Sequence, residues 1–457
     1  MTRVHLLTKQ GLFALLVGVS TCVCTAQDRR KVVQPTIPPV CVTLRATLTL
    51  HDGKLGGEDE SKLDTKRLQQ ALAGCARGKA VELAAGGAND AFLTGPLQVP
   101  PGVTLLVDRG VTLDASRDPR LYDLQPGSCG LVNDAPPGCK PILSVLNAAG
   151  AAIMGDGLID GRGGEPLLHR NISWWDLAEE ARSGGRQQVP RLIVADRSDD
   201  FTLYRITLRN SPNFHVVFSH GRGLTAWNLK IDTPQHARNT DGVDPESSKD
   251  ITVTRSFIRT GDDNIALKGS DGGVSYMTVE DNHFYYGHGM SIGSETYGGV
   301  HDILVKRLSL DGPDNALRIK SNPSRGGLVE RITYSDVCIR NSKWPIVLQT
   351  DYNNPGPLSN RVPVYRDIRL ENVRIAGGGN LSIQGFDVQH RLSVFLDGVL
   401  LDVPQHYNLG AAHAAIIYGP GPVNFALQGD DVTASGPRAK GTLAPCSASF
   451  IPFGSDR

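Results

Sequence analysis

The chain is short of methionine, with 4 among 457 residues, poor in aromatics at 6%, and has no surplus of either charge: Lys plus Arg and Asp plus Glu each number 47. Nucleic-acid binders carry a basic excess or stripe to meet phosphates, so this balance argues against that class. There is no CxxC and no His pair near the cysteines, which disfavours a structural zinc site. Beyond the N-terminus, no apolar run approaches the roughly 18 residues of a membrane span. Helical periodicity is scarce too. What is abundant is Gly (51) and Pro (28), set between short β-branched and aliphatic runs. That pattern predicts an all-β chain, and such folds often run long as one domain.

Residues 1–26 have the character of a signal peptide. Arg3 and Lys9 precede an apolar run from Gly11 to Val23, and Cys24-Thr25-Ala26 offers small residues for cleavage before Gln27. A buried first helix is the structural alternative. A lipoprotein processed at Cys22 matches poorly, because Val19-Ser20-Thr21 precedes it. The expectation is a secreted, extracellular protein without a membrane anchor. Cys41, Cys75, Cys129, Cys139, Cys338 and Cys446 remain after the leader, in a compartment that favours pairing. Cys129 and Cys139 bracket a Pro/Gly-rich loop that a bridge would close. Cys41 and Cys75 would tie the first strand to the end of the first helix. The state of Cys338 and Cys446 is left open.

In chain order, residues 27–44 are expected to form a polar linker and a first strand, 45–430 one domain, and 431–457 an irregular tail. Residues 63–75 are the one amphipathic helix: Asp64 or Thr65 can cap it, and Leu68, Ala71, Leu72 and Cys75 share a face. From Val81 onward short strands alternate with turns, interrupted by two long loops at 115–142 and 162–190. Beyond residue 195 a repeat is explicit. Eight segments align, starting at Phe201, Leu224, Ile251, Met277, Ile303, Ile332, Ile368 and Val394, at intervals of 23, 27, 26, 26, 29, 36 and 26 residues. Positions one and three of each point inward, a polar turn follows, and positions six and eight point inward on the next strand. Strand-only repeats of this length predict a right-handed parallel β-helix, a solenoid whose open end the N-terminal helix would cap.

Four polar clusters fall in phase with that repeat: Asn239-Thr240-Asp241-Gly242, Gly261-Asp262-Asp263, Gly287-His288-Gly289 and Arg318-Ile319-Lys320. Taken singly, each is an ordinary turn or the wet face of a strand. Stacked on four neighbouring coils, they would gather three carboxylates, an imidazole and two cations within roughly 15 Å. Glycoside hydrolysis needs one carboxyl protonated and another ionised. Adjacent carboxylates raise the pKa of at least one member. His288 is placed to hydrogen-bond the acid, and the two cations suit an anionic substrate, Arg318 gripping a carboxylate in bidentate fashion. Clustered carboxylates also bind calcium, which is the chemical rival.

With Gly155 to Gly161, Trp174-Trp175, Asn210 to Phe214 and Gln349-Thr350-Asp351-Tyr352, these clusters resemble the polygalacturonases, glycoside hydrolase family 28, over about residues 45–400. The small departure is Gly261, where many members carry Gln. The resemblance implies an inverting hydrolase of α-1,4-linked galacturonan with no cofactor and no metal. Asp262 would be the general acid, Asp241 and Asp263 would position and deprotonate the attacking water, and His288 would support the acid's protonation state. Arg318, Lys320 and Tyr352 would bind galacturonate, with Asn239 lining the cleft. The partner implied is an anionic polysaccharide, polygalacturonate or pectin, and the state implied is a monomer. Endo-action is preferred, because the coils from 201 to 332 leave little material for a wall across the cleft, although the loops at 115–142 and 162–190 offer some. The alternatives are an exo-polygalacturonase, a rhamnogalacturonan hydrolase, a calcium-dependent pectate lyase and a non-catalytic carbohydrate-binding solenoid.

Overall fold

The computed structural model describes residues 27–135, 138–353, 361–441, 446 and 449–455. The stretch with leader character, 1–26, lies outside them. The chain winds into a right-handed parallel β-helix. Two strands per coil join a 20-stranded sheet that turns a corner, and one joins an 11-stranded sheet on the remaining side.

The eight aligned segments pair residue for residue. Thr202 stands beside Thr225, then Thr252, Thr278, Leu304, Thr333, Arg369 and Phe395. The corner between their two strands falls at position five. There Arg205, Asn228, Arg255, Asp281, Arg307, Asp336, Asn372 and Gly398 all have φ between 50° and 69°. This left-handed conformation reverses which face the following side chains take, so positions three and six both reach the interior. Leu203, Ala226, Val253, Val279 and Val305 occupy that core without measurable exposure.

Helix α1 (Thr65–Gly74) closes the N-terminal end, burying Leu68 and Leu72. Asp64 precedes it but does not cap it with its side chain. Its carboxylate accepts instead from the backbone N–H of Leu93 (3.0 Å) and from Arg67 Nε (2.6 Å). The Cys41–Cys75 and Cys129–Cys139 pairs form as expected, and Cys338 pairs with Cys446.

Three stretches differ from expectation. The loop at 162–190 contains a second helix, α2 (Trp174–Glu180), started by a capping box between Ser173 and Asp176. It is held by burial of Trp174, edge-on to Tyr122. The two long loops also pair with each other, Leu131–Asn133 running antiparallel to Arg186–Gln188. Finally, the start of the expected irregular tail adds a strand, Val432–Ser435, to the last coil, because the edge of Ala414–Tyr418 offers it unpaired backbone groups.

Candidate active site

The four clusters meet on the 11-stranded sheet. Its central strands are β1 (Val243–Glu246), β2 (Ile265–Leu267), β3 (Met290–Ile292), β4 (Asn315–Lys320) and β5 (Trp344–Gln349). Val243 pairs with Ile265, Ile265 with Met290, and Met290 with Leu317. Asp241, Asp263 and His288 each stand two residues before those partners, so they form one row across three coils. Arg318 and Lys320 lie further along β4, Arg318 opposite Ser291. Their long side chains reach back to the row.

Close packing explains two of the glycines in the clusters. A Cβ on Gly261 would sit 2.0 Å from the carbonyl oxygen of Ala237, on the preceding coil. A Gln, which the resemblance leads one to expect here, cannot occupy this backbone path. Gly289 has φ +65°, and a Cβ there would sit 2.3 Å from the carbonyl oxygens of Asn315 and Ala316, which excludes a side chain as well.

Each acid has different company. Asp262 is partly exposed. Its Oδ1 lies 3.1 Å from His288 Nδ1 and accepts the backbone N–H of Asp263 at 2.9 Å, while Oδ2 accepts from Asn239 Nδ2 at 3.4 Å. Asp263 is buried and held at both oxygens: Ser291 Oγ donates to Oδ1 at 2.6 Å and Lys320 Nζ to Oδ2 at 2.8 Å, with Arg318 Nη1 at 3.7 Å. Asp241 is also buried, yet its Oδ1 has no partner and its Oδ2 is 3.4 Å from Lys268 Nζ. Tyr352 faces both cations, its ring centre 5.0 Å from the Arg318 guanidinium and 5.3 Å from Lys320 Nζ.

These surroundings separate the proton affinities. Burial raises Asp241 well above the ordinary carboxylate range, and the charges of Asp244 and Asp262 add to it. Burial pushes Asp262 the same way, but the hydrogen bond and charge of His288, helped by Lys320, outweigh it and hold Asp262 below that range. Burial lowers His288, whereas the bond to Asp262 raises it further, so the imidazolium persists above its usual range. In the free protein, therefore, the proton of this pair rests on His288 and the like-charge penalty falls on Asp241.

The row has the makings of a metal site, since one ligand atom each from Asp262, Asp263 and His288 lies within 4.8 Å of the others. The donor set does not suit calcium, because Asp263 is occupied by an ammonium and a hydroxyl, with a guanidinium alongside. A dication would meet two cations and displace a buried ion pair.

All eight site residues named from sequence are thus brought together. Sequence reasoning missed Asp244, Lys268, Ser291 and Gln187. Strand alternation gives a signal for the first: in β1, Val243 faces inward, so Asp244 and Glu246 face the cleft. Gln187 had none, because it arrives on the paired loops, placing Nε2 3.4 Å from Asn239 Oδ1. Beyond Arg318 a groove of about 590 Å³ continues past Asn315, Trp344 and Gln349.

The family model for glycosyl hydrolases family 28 matches residues 107–394. The endo-polygalacturonase of Pectobacterium carotovorum subsp. carotovorum is 41% identical over 389 residues, covering 84% of this chain and 92% of that protein. The polygalacturonase of Ralstonia nicotianae is 37% identical, with 92% of each covered. Among solved structures, polygalacturonase from Erwinia carotovora ssp. carotovora superposes with a TM-score of 0.79 at 38% identity, over 90% of this chain and all of that one. An exopolygalacturonase from Thermotoga maritima shares the fold at 20% identity, with a TM-score of 0.62 over 90% of this chain and 95% of that one.

Proposed function

We propose that this chain, which belongs to glycosyl hydrolases family 28 and is a polygalacturonase, is exported and cleaves α-1,4-galacturonosidic bonds within polygalacturonate with inversion. The observation that carries this reading is the division of labour among three aspartates on neighbouring coils. One is bonded to an imidazole, one is fixed by Lys320 and Ser291, and one has a bare buried oxygen.

Asp262 is the general acid. The His288–Asp262 pair holds one labile proton, which the free protein keeps on the imidazole. A bound uronate brings negative charge and excludes water, and both disfavour the Asp262 anion. The proton then passes across the 3.1 Å contact and on to the glycosidic oxygen as the bond to the anomeric carbon breaks. Asp241 acts in its ionised form, which its raised proton affinity confines to the less acidic side, and accepts a proton from a water whose oxygen attacks that carbon from the opposite face. Asp263, fixed by Lys320 and Ser291, orients the water. Arg318, with Tyr352 beside it, meets the uronate carboxylate, and Asn239 lines the cleft.

Endo-action is supported by relatives of that name at 41% identity. The opposing observation is that the paired loops stand against Asn239, material from which an exo-acting enzyme would build a wall. Export is supported by the leader-like segment and by the pairing of every cysteine among the described residues. Among those residues no helix is long and apolar enough to cross a membrane.

Digestion of polygalacturonate in excess EDTA, with mass spectrometry of the products over time, tests the reading. Saturated oligomers of mixed length appearing first are expected. Saturated monomer or dimer alone from the outset would make the enzyme exo-acting. Products that are unsaturated and appear only after calcium is restored would overturn the acid–base assignment.

A further inference from the structure

Beside the bare oxygen of Asp241 stands a cation that the scheme above does not use. Lys268 follows β2 and is bridged to Glu246 at the end of β1. Its Nζ is 2.6 Å from Asp244 Oδ2 and 3.4 Å from Asp241 Oδ2, and it lies 3.8 Å from the centre of the Phe214 ring. The ammonium therefore has an anchor in Asp244, an aromatic wall in Phe214, and one face turned to Asp241. Asp241 retains 3% of its exposure, and its Oδ1 makes no hydrogen bond. A buried carboxylate oxygen left without a partner is costly, and a water or substrate hydroxyl relieves that cost.

We infer that Lys268 is a positioning residue of the hydrolysis: by engaging Asp241 Oδ2 it orients that carboxylate so that Oδ1 is the oxygen receiving the proton of the attacking water. The inference rests on the base role given to Asp241 above. In that step one O–H bond of the water breaks and its proton goes to Asp241 Oδ1. The water oxygen bonds to the anomeric carbon, and the leaving oxygen departs with the proton from Asp262.

The geometry has an electrostatic consequence. The charges facing Lys268 are Asp244 and Asp241 from β1 and the turn before it, Asp263 from its own coil, and Glu295 from the next. Arg191 acts on Asp244 from an earlier coil. Burial pushes Asp244 up to about 6 and raises Asp241 as well, and the charge of Lys268 opposes both shifts. Without the ammonium, Asp241 would hold its proton to a higher pH and be unable to take another. A lysine whose charge did not reach Asp241 would leave that titration where it is.

The test is the pH profile of kcat and kcat/KM on polygalacturonate for Lys268→Met, Lys268→Arg, Asp244→Asn and Asp241→Asn, each checked for folding by thermal melting. In Lys268→Met the acid limb is expected to move up by about one pH unit, a roughly tenfold loss on that side, while KM stays within about twofold. Lys268→Arg is expected to restore the limb. In Asp244→Asn it is expected to move down, because one neighbouring anion is gone and Lys268 serves Asp241 alone. A loss of kcat with the limb unmoved in Lys268→Met and Asp244→Asn would overturn the inference. Should Lys268→Met fail to fold, the acid limb of Lys268→Gln, which removes the charge and keeps a polar side chain, decides. Near-complete inactivity of Asp241→Asn is expected, and full activity there would overturn the base assignment itself, whatever Lys268 does.

Discussion

Asp241, Asp262 and Asp263 share one cleft, and their neighbours make them three different groups. Asp262 and His288 are the pair whose titration is most easily followed. His288 is raised above its usual range, so its contribution to stability is full below about 6.5 and is lost as pH rises through the raised value. Asp262 is held below its usual range, so its contribution is full above about 4 and is lost as pH falls through the lowered value. The pair is therefore most stabilising between those limits. In thermal melts across pH, His288→Gln is expected to lower Tm most inside that window and to narrow its deficit at both extremes. A Tm difference independent of pH would contradict the ion pair. The acids themselves were legible in the sequence because their spacing matched the repeat. Their separate proton affinities were not, because burial and the reach of Lys268 and Lys320 belong to the folded coils.

At the scale of the element, the corner at position five is the feature that repeats. Seven of its eight residues are not glycine, and each takes the left-handed conformation that costs an L-residue roughly 1 kcal/mol. The penalty is smallest for Asn and Asp and largest for β-branched side chains. Arg255 has φ 55° and packs its guanidinium over Trp227. Arg255→Val is expected to destabilise the fold by about 1–3 kcal/mol, whereas Arg255→Gly, which keeps the backbone unstrained, is expected to cost less. Equal losses in chemical denaturation would mean that the Trp227 contact, and not the corner, is what matters. The alternation of apolar residues made these strands readable in advance, down to their register. Helix α2 was passed over although Ser173 and Asp176 spell a capping box, because seven residues give too short a window for helical periodicity.

At the scale of the molecule, the coils touch mainly their neighbours, and two non-repeating segments run across the stack. The stretch after Ala26, which has a linker's composition, is one of them. Asp28 accepts from Thr252 Oγ1 and its backbone N–H donates to Thr278 Oγ1; Arg29 grips Asp250 at 2.6 and 2.7 Å; Gln34 reaches the hydroxyl of Tyr204. The other is the C-terminal segment, tied by Cys338–Cys446, where Phe450 lies under Arg340 and Phe453 under Arg259. Solenoid stability is a sum over neighbouring interfaces, so a strap spanning several coils adds cooperativity. Deleting residues 27–34 is expected to lower Tm by several degrees while leaving KM and the product pattern unchanged. A change in product pattern would show that the arm also shapes the cleft.

The sequence by itself determined the repeat, the inward face of each strand and the identity of the acids, because a strand's period of two and a coil's near-constant length are local properties written in residue order. It also carried two of the three disulfides. Only the tertiary structure decided that Gly261 lies against Ala237, that two distant loops pair beside Asn239, and that Lys268 stands between Asp244 and Asp241. Those outcomes depend on contacts between coils, where backbone approach and the burial of charge are set by residues 20 or more positions away and leave no periodic trace in the chain.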